Sequence, residues 1–170
     1  MLNKFFLLFT IFSFFIVSGC VSTPSNMEKM DNENAKIIEI TDIPNSKKDE
    51  LFIRANSWMV DVFVNAEGVI QFSDKQAGLI KGKYIFDTSD GVYIVRVRSV
   101  ITINIKEEKA RFSIKNPTRK IIGDLLGGGP YNKNYDPIES RQFFDEKVKP
   151  KFSQLANSFK SSIQAEASSW

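Results

Sequence analysis

The spacing of the apolar residues changes from helical to alternating between Phe63 and Val69, and that change decides the fold class. Before it, Leu51, Phe52, Ala55, Trp58, Met59, Val62 and Phe63 fall at i, i+1, i+4, i+7, i+8, i+11 and i+12. Those intervals form one broad stripe on a helix, and Lys47, Lys48, Glu50, Arg54 and Asp61 lie off it. Ser46 is placed as the N-cap, with Asp49 three residues later imitating a capping box. After the change the period is two. Strands are expected over 69–73, 79–86, 92–105 and 109–115, with turns at 74–78 and 87–91. Tyr93, Val95, Val97, Ile101, Ile103 and Ile105 share one face of the longest strand, and Arg96, Arg98, Thr102 and Asn104 share the other. Such alternation suits an antiparallel sheet with one wet face.

A short strand at 36–40 precedes the helix. Near the end, Phe144, Val148, Phe152, Leu155 and Phe159 recur at helical spacing, and Pro150 is expected to kink or split that helix. Residues 116–139, with Gly127-Gly128-Gly129-Pro130, carry no period and are expected to be irregular. The expected architecture is α+β: an antiparallel sheet of about five strands with two helices packed on one face, in the order β-α-β4-α.

The only cysteine, Cys20, closes an apolar leader. Lys4 is the leader's sole charge, and residues 5–17 are apolar apart from Thr10 and Ser13. Such a run is shorter than the ~20 residues a spanning helix needs and suits a secretory signal. Val17-Ser18-Gly19-Cys20 resembles the lipobox of bacterial lipoproteins. The resemblance implies cleavage between Gly19 and Cys20 and a diacylglycerol on the Cys20 sulfur. Two or more acyl chains, at ~0.8 kcal/mol per buried methylene, make such attachment effectively permanent. In the sorting rule of many Gram-negative bacteria an Asp after the cysteine retains a lipoprotein in the inner membrane. Val21 stands there, which implies the outer membrane, facing the periplasm. The organisation expected is a signal peptide at 1–19, a lipidated cysteine and polar tether at 20–35, and one domain at 36–165.

Composition narrows the chemistry. Histidine is absent from the 170 residues and the one thiol is spent on the anchor. That removes the commonest general base, the Ser-His-Asp and Cys-His triads and zinc-thiolate sites, and it leaves no internal disulfide. The fold must be held by its core. Losing Lys4 with the leader lowers the formal charge from +3 to +2. The surplus is dispersed, so it gives no footprint for nucleic acid. No cofactor or metal motif is present: the acids around Asp87 and Asp90 lack calcium-loop spacing, and Gly123-Asp124-Leu125-Leu126-Gly127-Gly128-Gly129 lacks a phosphate-loop ending.

Two blocks carry a family resemblance. Lys48-Asp49-Glu50-Leu51-Phe52, Arg54-Ala55 and Trp58, followed by Ile70-Gln71 and Asp74-Lys75-Gln76-Ala77-Gly78-Leu79-Ile80-Lys81-Gly82, look like the family catalogued as domain of unknown function 4468. That family is described as having a TBP-like fold and as occurring largely in bacterial envelope proteins. The similarity covers about residues 36–116. It implies a fold and no established activity, and the fold's name does not imply DNA binding. The same residues have physical roles: Trp58 is expected as a core anchor, Gly78 as a positive-φ turn residue, Asp74 as a side-chain acceptor in that turn, and Gly82 as a bulge or a close approach by the helix.

The function expected is a membrane-anchored envelope lipoprotein, attached through Cys20, that acts as a non-enzymatic binding or structural module. Arg96, Arg98, Lys109 and Arg111, aligned with Lys115, are the candidate strip for an acidic partner. The alternatives are a carrier of an apolar ligand between sheet and helices, and a hydrolase built on Asp87, Asp90 and Asp124. The carrier fails if Trp58, Phe63, Phe144 and Phe152 fill the interior. The hydrolase requires carboxylates that converge in a cleft.

Overall fold

The computed structural model describes residues 30–31, 35–64, 69–128 and 132–165. The leader and the cleavage and lipidation expected at Gly19 and Cys20 lie outside the described residues. The order is β1 (Lys36–Asp42), α1 (Lys48–Val64), β2 (Val69–Asp74), β3 (Leu79–Asp90), β4 (Tyr93–Lys106), β5 (Lys109–Asp124), β6 (Asp136–Pro137), α2 (Arg141–Phe143), a π turn (Phe144–Val148) and α3 (Lys149–Gln164). The strands form one sheet in the order β1-β5-β4-β3-β2, with β6 beside β5. All the pairings are antiparallel, as the alternation predicts.

Both long helices lie on the same side of the sheet. Val95, Val97, Ile101, Ile103 and Ile105 of β4 are buried with Ala110, Phe112 and Ile114 of β5. Trp58 of α1 stands edge-on to Phe112 of the sheet at 5.8 Å and to Phe159 of α3 at 5.2 Å, and Phe112 stacks on Phe159 at 5.4 Å. Its indole N–H donates to the Ser158 hydroxyl at 3.0 Å, so the ring is buried with its polar atom satisfied. Each aromatic pair of this geometry adds ~0.5–1.5 kcal/mol beyond area burial. Gly82 is where α1 comes closest: a Cβ there meets Met59 Cε and Phe63 Cε2, both at 2.6 Å. The irregularity that accompanies it lies on the neighbouring strand, between Ile70 and Phe72.

Several local expectations change. β5 runs to Asp124, so the segment expected to be irregular from 116 begins as strand. Two register shifts hide the alternation, one between Arg98 and Val100 of β4 and one between Ile94 and Val95. Asn116 takes φ 49 at the first, and Pro117 follows it. β3 likewise continues to Asp90 and turns at Gly91 and Val92, so Asp87 and Asp90 lie on a strand. Met30 and Ala35, counted as tether from the sequence, are buried in the core, and the Met30 N–H donates to the Glu139 carbonyl at 2.8 Å. Pro150 falls in the first turn of α3, where the helical stripe from Phe144 is split into a π turn and α3, as expected. It follows the π turn, in which the Lys149 N–H bonds to the Phe144 carbonyl, and the wider turn accommodates a residue that donates no backbone bond. The turn chemistry of Asp74 and Gly78 is as expected: Asp74 Oδ1 accepts from the Ala77 N–H at 2.9 Å, and Gly78 has φ 66.

The start of α1 is capped from elsewhere. The Lys48 N–H donates to Glu107 Oε2 and the Asn45 N–H to Glu108 Oε1, each at 2.9 Å. Both acids belong to the β4–β5 turn, so a hairpin nearly sixty residues away supplies the negative end that Ser46 and Asp49 were expected to supply. We expect Glu107→Ala to cost about 1 kcal/mol and Ser46→Ala to be near neutral in urea unfolding. In the same measurement Gly82→Ala lowers stability by ~1–3 kcal/mol through overpacking, with little change in denaturant slope.

Candidate functional site

With the helices on one side, every second residue of each strand faces away from them. Lys36 and Ile40 of β1, Lys81 and Lys83 of β3, Arg96, Arg98, Thr102 and Lys106 of β4, and Lys109, Arg111, Lys115 and Lys120 of β5 alternate to this open face. The register arranges them in rows. Lys83 pairs with Val100, Val100 with Lys115, and Lys115 with Lys36. A strand spacing of about 4.8 Å puts Lys83 and Lys115 about 10 Å apart, with Lys36 about 5 Å further on. Val100, 42% exposed, is the apolar floor between the first two.

The carboxylates near this face are spent at its margins. Asp87 takes two hydrogen bonds from Arg96, Nε to Oδ1 at 2.7 Å and an Nη2 to Oδ2 at 2.9 Å. Those bonds hold its carboxyl below the usual carboxylate value. Partial burial opposes them, and the charges of Arg96 and Lys120 reinforce them. Asp42 pairs with Lys109 at 3.1 Å at the other end of the sheet. Asp74 holds its own turn. Lys36, Lys83 and Lys115 form no ion pair with a carboxylate among the described residues.

Hollows lie along the face among the described residues, two of them lined by its cations along β4. One, of about 370 Å³, is lined by Lys83, Arg98, Val100, Lys115, Asn116 and Thr118 among others. It lies over the first β4–β5 register shift. Ser99 Oγ donates to the Lys115 carbonyl at 2.9 Å and Thr118 Oγ1 to the Arg98 carbonyl at 3.3 Å. These hydroxyl protons satisfy the interrupted ladder, and the ammonium groups of Lys83 and Lys115 are left without an ion pair among the described residues. The other hollow, of about 340 Å³, is lined by Ile40, Asn104, Lys106, Lys109 and Arg111. Tyr135, from the segment before β6, sits at the upper margin, with the Arg98 guanidinium 4.0 Å and Lys120 Nζ 4.9 Å from its ring centroid.

The structure divides the strip expected from sequence. Arg96 and Arg98 stand beside Lys120 and Thr118 at one end, while Arg111 and Lys109 stand beside Asn104 and Lys106 at the other. Lys115 lies between them, and Lys36, Lys81, Lys83 and Lys120 join a face that sequence spacing did not assemble. Their only signal was position in an alternating strand, which says nothing of register.

The carboxylates of the hydrolase alternative do not converge. Asp87 faces outward on Arg96, and Asp90 pairs with Arg119 at 2.6 Å, beneath which Phe143 lies 4.8 Å away. Asp124 Oδ1 accepts from the Leu126 N–H at 2.8 Å and the Gly128 N–H at 3.1 Å, so the glycine segment's amides point at its own acid. Trp58, Phe63, Phe144 and Phe152 are all buried in the core, which removes the ground for an apolar carrier.

Comparison with known proteins agrees with this architecture. Residues 38–120 match the family model described as a domain of unknown function (DUF4468) with TBP-like fold. No curated protein matches the chain. A TBP-like protein from Parabacteroides distasonis ATCC 8503 superposes with a TM-score of 0.53 at 14% identity, covering 79% of this chain and 97% of that one. A DUF4468 family protein from Bacteroides ovatus ATCC 8483 also gives 0.53 at 14% identity, covering 79% and 89%. At that identity the likeness is one of fold. The segment 38–120 thus matches the DUF4468 family model, and the fold of the chain is TBP-like.

Proposed function

We propose that this protein is a lipid-anchored envelope module that binds, without catalysis, an acidic partner on the open face of its sheet. The observation that carries the binding is the face itself. Helices cover one side of the sheet, and the other presents cations whose nearest carboxylates are committed at its margins. A surface of one sign that the protein does not neutralise steers and docks ligands of the other sign. The anchoring rests on the leader and on the lipobox-like residues ending at Cys20. It puts the domain on a membrane, and Val21 supports the outer membrane, facing the periplasm. Because Met30 is packed against the domain, only nine residues separate it from Cys20, a length of chain that cannot exceed about 30 Å. The partner is therefore met close to the membrane.

The anchor is tested by the intact mass of the protein purified from membranes. A chain beginning at Cys20 and carrying acyl chains is expected, and an unmodified Cys20 with the leader retained contradicts it. The binding is tested by placing a photo-crosslinking residue at Arg98 and, separately, at Gln154 on exposed α3 in living cells. A discrete adduct from Arg98 alone is expected; equal diffuse capture from both positions contradicts a docking face.

A further inference from the structure

We infer that the occupant of the open face is a linear acidic polymer, with successive phosphate or carboxylate groups seated in the two hollows along β4. The inference deepens the proposed binding of an acidic partner and does not depend on the lipid anchor.

Three observations carry it. The first is repulsion within a row. Lys36 and Lys115 are direct cross-strand partners, and Lys83 stands one strand beyond Val100 in the same row. Like charges directly opposite on a sheet are destabilising. No described carboxylate intervenes in this row, and an anion over Val100 would lie between Lys83 and Lys115 and relieve the repulsion. The second is a path. Arg98 and Lys106, one at each hollow, are about 26 Å apart at ~3.3 Å per residue. Lys81, opposite Thr102, stands between the hollows, so cations continue from one to the other. A single small anion fills one hollow only; a chain reaches both and gains the effective concentration of the second contact. The third is shape. The cations line hollows of about 370 and 340 Å³, which admit a strand of polymer more readily than a planar layer of headgroups.

The test uses the membrane-purified protein in neutral detergent. Its probes are inorganic polyphosphate of several tens of units, orthophosphate, and vesicles containing phosphatidylglycerol. Polyphosphate is expected to bind at least tenfold more tightly per phosphate than orthophosphate. The pair Lys83→Gln and Lys115→Gln should weaken it at least fivefold, and adding Lys106→Gln and Arg111→Gln should weaken it further. Lys147→Gln with Lys151→Gln, an equal loss of charge on exposed positions of the helical side, should leave it unchanged. Circular dichroism of each variant checks that the fold is kept. Equal affinity for orthophosphate and polyphosphate, a preference for the vesicles, or the same loss from the helical-side pair would overturn the polymer. Failure of all three probes to bind would remove the acidic-partner reading along with it.

Discussion

The contact among Trp58, Phe112 and Phe159 ties α1, β5 and α3 into one core, and the rest of the molecule depends on it. Without a disulfide, this aromatic wedge and the aliphatic rows beneath it commit one face of the sheet to burial. Side chains alternate across a strand, so committing one face also commits the other to solvent. Gly82 shows how tightly that arrangement is set, because the space of its missing side chain is taken by Met59 and Phe63.

The open face then carries a cost that the fold does not relieve. Elsewhere the protein places acids beside cations: Glu39 with Lys160 between β1 and α3, Asp90 with Arg119, and Asp87 with Arg96. Exposed pairs of this kind contribute at most about 1 kcal/mol each, so their value is less in stability than in where they leave charge uncancelled. What is left uncancelled is the middle of the sheet, around Lys36, Lys83 and Lys115. The hollow there coincides with the register shift that introduces Asn116 into β5. The same irregularity that interrupts the ladder therefore also shapes the surface and spreads its cations.

Much of this was legible from spacing alone. The change from helical to alternating period located α1 and the strands, and Asp74 with Gly78 identified their turn. Trp58 stood in the apolar stripe and took its place in the core. The misses share a physical cause, which is that they depend on partners distant in sequence. The cap of α1 comes from Glu107, and no local pattern around Ser46 reveals it. Asn116 and Pro117 read as the end of a strand, whereas the neighbouring β4 carries β5 past them. Asp87 and Asp90 read as turn acids, although cross-strand pairing and two arginines keep them in β3. The basic face was legible as composition but not as geometry, since a strip of Arg96, Arg98, Lys109 and Arg111 required a register that only pairing supplies.

The central claim is that the uncancelled middle of the open face is a binding surface for an acidic chain. It is tested most directly by lysine acetylation footprinting of the purified protein with and without polyphosphate, read residue by residue by mass spectrometry. The account predicts severalfold slower modification of Lys36, Lys83 and Lys115 when the polymer is present, with Lys147 and Lys151 unchanged. Uniform slowing over both sides, or no slowing of the three open-face lysines, would contradict it.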